Sequence, residues 1–171
     1  MQNNITIRHA IESDEPFTLD VRYKAWLKAY NHIFSEENIH KHFQTKLNNP
    51  EYRATTVKRL LDNPHYYVAC VDNKPVAILI LKIDTKKPDK SEIVCFYCYP
   101  EYQRLGIGKK LFDYAVKVFK QNNIKSFEVN ALKDNFVGGS FYLKNGGKII
   151  DTHKETICYT EVDCVIYKFE I

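Results

Sequence analysis

Tyr97-Cys98-Tyr99-Pro100-Glu101-Tyr102-Gln103-Arg104-Leu105-Gly106-Ile107-Gly108-Lys109-Lys110 is the stretch on which the reading of this chain turns. Ahead of it, Glu92 to Tyr99 is apolar at nearly every position and reads as a central strand buried on both faces, stopped by Pro100. After it, Gly108 to Gln121 carries one apolar stripe (Leu111, Phe112, Ala115, Val116, Phe119), with Lys109, Lys110, Asp113, Lys117 and Lys120 on the wet side. A strand thus bends through a glycine-bearing turn into a helix. Such a turn presents backbone N–H groups beside the positive end of the helix dipole. Glycine at 106 and 108 removes side chains that would hold a phosphate away. The physics predicts a pyrophosphate site, against the plainer alternative of a tight turn. Two known phosphate motifs fit poorly. A dinucleotide fingerprint wants glycine or alanine where Leu111 stands, and a P-loop wants Ser or Thr where Lys110 stands.

Outward from this stretch the pattern is regular. Ile5 to Arg8 alternates as a strand, and Ser13-Asp14-Glu15-Pro16 offers a cap, early acids and a first-turn proline for a helix reaching about Tyr30. Ser35 to Leu61 reads as one or two helices broken near Asn48-Asn49-Pro50. Tyr66 to Val71 and Val76 to Leu81 are strands joined at Asp72-Asn73-Lys74, a hairpin signal. Ser126 to Ala131 is a strand, and Asn135 to Lys144 a short helix closed by Gly146. Two last strands, about Lys148 to Ile157 and Val162 to Ile171, flank a polar loop. This order predicts an α/β (α+β) fold, a mixed sheet with helices on its faces. With 171 residues, no repeat and no linker, one domain over 1–171 is expected.

Composition narrows the class. A 44% hydrophobic and 27% charged chain is ordinary for a globular protein. The longest apolar runs, such as Pro75 to Leu81, fall far short of the roughly 20 residues that span a bilayer. No apolar leader precedes His9, so a cytoplasmic location is expected. The net charge of +4 comes from scattered lysines, which argues against nucleic acid as a partner. Five cysteines leave one unpaired under any disulfide scheme, so reduced thiols are expected. Cys95 and Cys98 form a C-x-x-C, but on a strand they point to opposite faces and cannot share a metal ion. His40-Lys41-His42 on a helix reads as a solvated pair, since residues two apart do not share a face. No metal is expected.

Gln103, Gly106 and Gly108 match Q/R-x-x-G-x-G/A, and Asn135, Phe141-Tyr142 and Gly146 match N-x-x-(A/G)-x-x-F-Y-x-x-x-G. With the strand Glu92 to Tyr97 leading into the first motif, the chain resembles the GCN5-related N-acetyltransferase superfamily over nearly its whole length. That resemblance implies a mostly antiparallel sheet of about seven strands, with helices on both faces and the fourth and fifth strands splayed. It implies acetyl-CoA as co-substrate and a primary amine, small-molecule or protein, as acceptor. It also implies direct attack in a ternary complex and a homodimer. Backbone groups of Gln103, Arg104, Leu105, Gly106, Ile107, Gly108 and Lys109 would hold the pyrophosphate. Main-chain groups of Phe96, Tyr97 and Cys98 would pair with the pantetheine arm, and Asn135 would contact the cofactor and cap its helix. Glu92 would take the amine's proton, and Tyr142, a phenol with an ordinary pKa near ~10, would protonate the leaving thiolate. The acceptor side would be shaped by Tyr30 to Leu47 and the loop Thr152 to Asp163. A non-enzymatic acyl-CoA-binding or sensory module on the same fold is the alternative. It is suggested by Gly138-Gly139 inside the short helix, where glycine costs about 1 kcal/mol against alanine. These two glycines either allow a close approach or loosen the helix that holds Tyr142. Gly147 stands where the family commonly has phenylalanine.

Overall fold

The computed structural model describes residues 4–171, so the reading of Met1 to Asn3 lies outside them. Its elements are β1 (Ile5–His9), α1 (Glu15–Ala29), α2 (Glu36–Leu47), α3 (Pro50–Asp62), β2 (Tyr66–Val71) and β3 (Lys74–Lys82). There follow β4 (Glu92–Cys98), α4 (Ile107–Gln121), β5 (Ser126–Leu132), α5 (Phe136–Lys144), β6 (Lys148–Ile157) and β7 (Thr160–Glu170). The strands form one seven-stranded sheet in the order β1-β2-β3-β4-β5-β7-β6. Every neighbouring pair is antiparallel except β4 and β5, which run parallel. This is the mixed, mostly antiparallel sheet that was expected. Among the described residues no helix is long and apolar enough to cross a membrane.

Sequence explains the helix starts, with one exception. Ser35 accepts the Asn38 N–H at 3.1 Å, and Asn49 accepts the Tyr52 N–H at 3.0 Å with Pro50 in the first turn. At α1 the expected cap is absent. Asp14 is buried and turns back, accepting from Ile11 N–H at 2.8 Å and from both Arg8 guanidinium nitrogens at 2.7 and 2.9 Å. It ties β1 to the helix instead of closing the helix end.

The sheet has a helix layer on each side. Facing α4, Phe127 stacks on Phe119 and Phe169 with ring centroids 4.5 and 4.8 Å apart, and Phe112 closes the cluster. Facing α1 and α2, a second cluster gathers Trp26, Tyr30, Phe34, Ile39, Phe43, Leu132 and Cys164. The β6–β7 connection differs from the expected polar loop. Cys158 and Tyr159 form a two-residue turn with φ of 47° and 64°, so strand pairing runs to Ile157–Thr160. Asp72-Asn73 makes the same kind of turn between β2 and β3, with φ of 48° and 66°.

Candidate active site

β4 and β5 begin as neighbours and separate at once. Glu92 and Glu128 are register partners, Glu128 N–H donates to Ser91 O at 2.9 Å, and no later pair joins the two strands among the described residues. The expectation that β4 is buried on both faces therefore fails. Val94 is 56% exposed, and Phe96, Tyr97 and Cys98 are half-buried beside the opening. The main chain of β4 facing β5 is an internal edge, able to pair with an extended amide-bearing ligand as a further strand would.

At the wide end of the opening lies the start of α4. Lys110 N–H donates to Gly106 O as the first intrahelical bond, so the N–H groups of Ile107, Gly108 and Lys109 have no acceptor within the helix. Gly106 has φ +80°, a left-handed conformation that explains its identity. Gly108 is different: a Cβ there would meet only Phe96 and Phe141, each at 3.9 Å, an ordinary contact. Nothing in the protein requires glycine at that position, whereas a close-lying anion would. Gln103 Nε2 donates to Cys98 O at 3.4 Å, joining the turn to the strand end, and Arg104 has φ 66°.

Tyr142, on α5, is buried in the core cluster that also holds Ile93 and Cys95 of β4 and Tyr167 and Phe169 of β7. It packs against Phe141, Tyr167 and Phe169. Burial, then the nearby Tyr97 phenol and Cys95 and Tyr167, hold its proton more tightly than in a free phenol. Across the gap, Trp26 Nε1–H donates to Tyr97 Oη at 3.0 Å. Asn135 is fully engaged: its side-chain oxygen accepts Gly138 N–H at 3.0 Å, and its amide donates to Tyr30 Oη at 3.1 Å. The paired glycines of α5 prove to be space-makers. A Cβ at Gly138 would lie 2.4 Å from the Asn135 amide nitrogen, and one at Gly139 2.8 Å from the Tyr167 hydroxyl. Gly147 likewise makes room for Phe169, 2.7 Å from its hypothetical Cβ. The Cys98 thiol is pushed up to about 12 by burial and by Glu101, which keeps it protonated.

Glu92 reaches the same side as Tyr97 through a bulge. Ile80 pairs with Cys95 and Leu81 with Ile93, leaving Val94 unmatched. The extra residue puts Glu92, Cys95 and Tyr97 on the α1 face and Ile93, Phe96 and Cys98 on the α4 face. Cys95 and Cys98 thus point oppositely, as read from the sequence. Glu92 Oε1 accepts from Lys82 Nζ at 2.7 Å.

The match to known proteins follows this geometry. Residues 23–147 fit the model of the Acetyltransferase (GNAT) family. The chain belongs to that family. It is 32% identical over 154 residues to a spermidine N(1)-acetyltransferase of Thermoplasma acidophilum, covering 87% of this chain and 91% of that protein. A crystal structure of the PaiA N-acetyltransferase of T. acidophilum with coenzyme A superposes with a TM-score of 0.82, at 26% identity over 98% of this chain and 99% of that one. A GCN5-related N-acetyltransferase structure from Rhodopseudomonas palustris shares the fold, with a TM-score of 0.79 at 17% identity over 100% and 98% of the two chains. This acetyltransferase transfers an acetyl group from acetyl-CoA to an amine.

The segments expected to shape the acceptor side, Tyr30 to Leu47 and Thr152 to Asp163, come together in the acetyltransferase, while Asp134 and Arg22 join them from outside that expectation. A cavity of about 420 Å³ lies between the α1–α2 connection, the β5–α5 turn and the β6–β7 hairpin, lined by His32, Asp134, Lys154, Thr160, Glu161 and Asp163 among others. On the α1 face of β4, Arg22 is largely enclosed, its Nε buried without an acceptor. His42 is not a solvated residue but stacks on Trp26, centroids 5.6 Å apart and planes 8° apart. His42 and Lys46 lie four apart on α2, a spacing that places both on one helix face. No sequence pattern flags Arg22, because a single arginine on a helix ordinarily faces water.

Proposed function

We propose that this chain works as one N-acetyltransferase domain over 1–171 in the cytoplasm, alone or as a homodimer, on a primary amine of a small molecule or protein and not on nucleic acid. The observation that carries this reading is the parting of β4 and β5 beyond Glu92–Glu128, with the α4 N-terminus following β4 and Tyr142 buried among residues of β4 and β7. The pyrophosphate of acetyl-CoA would rest on the amides of the Gln103 to Lys109 turn, including Arg104, Leu105, Gly106, Ile107 and Gly108. Main-chain groups of Phe96, Tyr97 and Cys98 would pair with the pantetheine arm. Asn135, with both side-chain ends engaged, would serve the cofactor by holding α5 and Tyr30 beside it.

Chemistry needs a neutral amine, since an ammonium has no lone pair. Glu92 would accept the amine's proton through water, from the face it shares with Tyr97. As the new N–C bond forms and the C–S bond breaks, Tyr142 would give its proton to the departing thiolate. Burial keeps that proton in place until then. The protonated Cys98 thiol supports direct transfer without an acyl-enzyme. Tight anchoring of α5 by Asn135 and Gly139 favours a competent acid over a loosened sensory module.

Calorimetric titration with acetyl-CoA, ATP and NAD tests the co-substrate site, and acetyl-CoA alone is expected to bind. Thiol release across an amine panel headed by spermidine, the substrate in the name of the T. acidophilum relative, tests turnover. Binding of acetyl-CoA with no thiol release for any amine would favour the sensory alternative.

A further inference from the structure

On the α1 face of β4, one strand-width from the gap, two cations stand without a counter-charge. Arg22 on α1 stands one turn before Trp26, whose ring stacks on His42 and whose Nε1–H donates to Tyr97, and its buried Nε meets no acceptor. Among the described residues no carboxylate forms an ion pair with its guanidinium. Lys46 on α2 lies near enough to Arg22 to be destabilised by it, with its Nζ 5.5 and 5.8 Å above the rings of Phe43 and Tyr52. Its hydrogen-bond partner is neutral: His42 Nε2 accepts from Lys46 Nζ while the imidazole stacks on Trp26. Burial, and then Arg22, bring Lys46 down to about 8. A half-enclosed cation next to a second cation and an aromatic wall is costly unless an anion completes it. Such arrangements are retained where the anion is a ligand, and an arginine fork suits a carboxylate.

Resting on the transferase reading above, we propose that Arg22 and Lys46 bind the carboxylate of the acceptor, making the substrate class an amino acid or similar zwitterion and not a polyamine. Arg22 lies one turn before Trp26 on the same face of α1, Trp26 Nε1–H donates to Tyr97 Oη at 3.0 Å, and Tyr97 packs on the core cluster that holds Tyr142. Carboxylate and reacting amine therefore fit within one small molecule. An all-cationic acceptor placed there would meet two positive charges with nothing to offset them.

Trp26, the one tryptophan in the chain, adjoins this cluster through His42 and reports on it by fluorescence. Titrations of lysine against cadaverine, ornithine against putrescine, and spermidine, with coenzyme A present, provide matched pairs that differ by the carboxylate. The carboxylated member of at least one pair is expected to bind at least tenfold tighter, with the same preference in kcat/KM. Arg22→Gln and Lys46→Met should each abolish the preference while acetyl-CoA binding is retained. Should Arg22→Gln not fold, Lys46→Met, altering a less enclosed side chain, decides alone. Equal or tighter binding of the decarboxylated amines or spermidine overturns the proposal, as does a fluorescence signal unresponsive to every compound, or a preference that survives both substitutions. Acetyl-CoA binding and thiol release with any amine are scored separately, so the carboxylate site can fail while the transferase reading stands.

Discussion

Gly108 is the residue whose identity the protein itself leaves unexplained, which makes it the sharpest probe of the pyrophosphate site. Its Cβ would touch only Phe96 and Phe141 at 3.9 Å, so Gly108→Ala is expected to fold with stability unchanged or slightly raised. Acetyl-CoA affinity, read by calorimetry, should nonetheless drop at least about tenfold, because the added methyl stands where the phosphates must approach the backbone. Gly139 is the converse case. A Cβ there lies 2.8 Å from Tyr167 Oη but 3.9 Å from Cζ. Gly139→Ala should therefore cost about 1–3 kcal/mol in chemical denaturation. Adding Tyr167→Phe, which removes the offending oxygen, should recover most of it. Failure of that rescue would mean the strain lies in the backbone. For Tyr142, the phenylalanine variant keeps the ring packing and loses the proton. Acetyl-CoA should bind normally while kcat falls about 10²–10⁴-fold. The motif positions Gln103, Gly106, Gly108, Asn135 and Tyr142 were readable because each belongs to a run of known spacing. The purpose of Gly138 and Gly139 was not, since the atoms they avoid belong to Asn135 and to Tyr167 on a strand far along the chain.

At the level of strands and helices, most of what positions the site follows from local chemistry. Pro100 stops β4, Asn49-Pro50 starts α3, and apolar periodicity marks α4. Two features had no local signal. The hairpin turn Cys158-Tyr159 adopts left-handed conformations without the Asn-Gly that usually announces them, so the segment read as a loop. The β4 bulge at Val94 is invisible in an unbroken apolar run, yet it decides which face Glu92 occupies. That dependence is testable. Inserting one alanine between Glu92 and Ile93 moves Glu92 one place along the strand and so to the opposite face from Cys95 and Tyr97, whereas deleting the unmatched Val94 would leave Lys82 and Glu92 paired and the face unchanged. Thiol release should collapse at least as far as in Glu92→Gln, while Glu92→Gln alone should leave acetyl-CoA binding intact. An insertion variant that folds and turns over normally would remove Glu92 from the chemistry.

The molecule as a whole is a sheet opened in its middle, and filling that opening should stabilise it. Acetyl-CoA at about 100 times its Kd contributes roughly 2.7 kcal/mol, which for a domain of this size is a rise in Tm of about 5–10 °C. The packing of α2 over the α1 face adds a pH dependence of its own through His42. Burial, then Lys46 and Arg22, lower its pKa from 6.5 to about 4. Between those values the unfolded chain binds a proton that the folded chain does not. The contribution of His42 to stability is therefore whole above pH 6.5 and is lost as the pH falls toward 4, where the folded ring also charges. A part-exposed imidazole realises only a fraction of the full shift, about 1–2 kcal/mol, or roughly 2–8 °C in Tm. His42→Gln keeps an acceptor for Lys46 Nζ without titrating. Thermal unfolding followed from pH 7 to 4 should show the wild type losing stability faster than this variant by that margin, with the two curves converging in shape above pH 6.5. Parallel curves throughout the window would mean that the imidazole takes up its proton as readily in the folded molecule as in the unfolded chain, and that α2 does not seal it against Trp26.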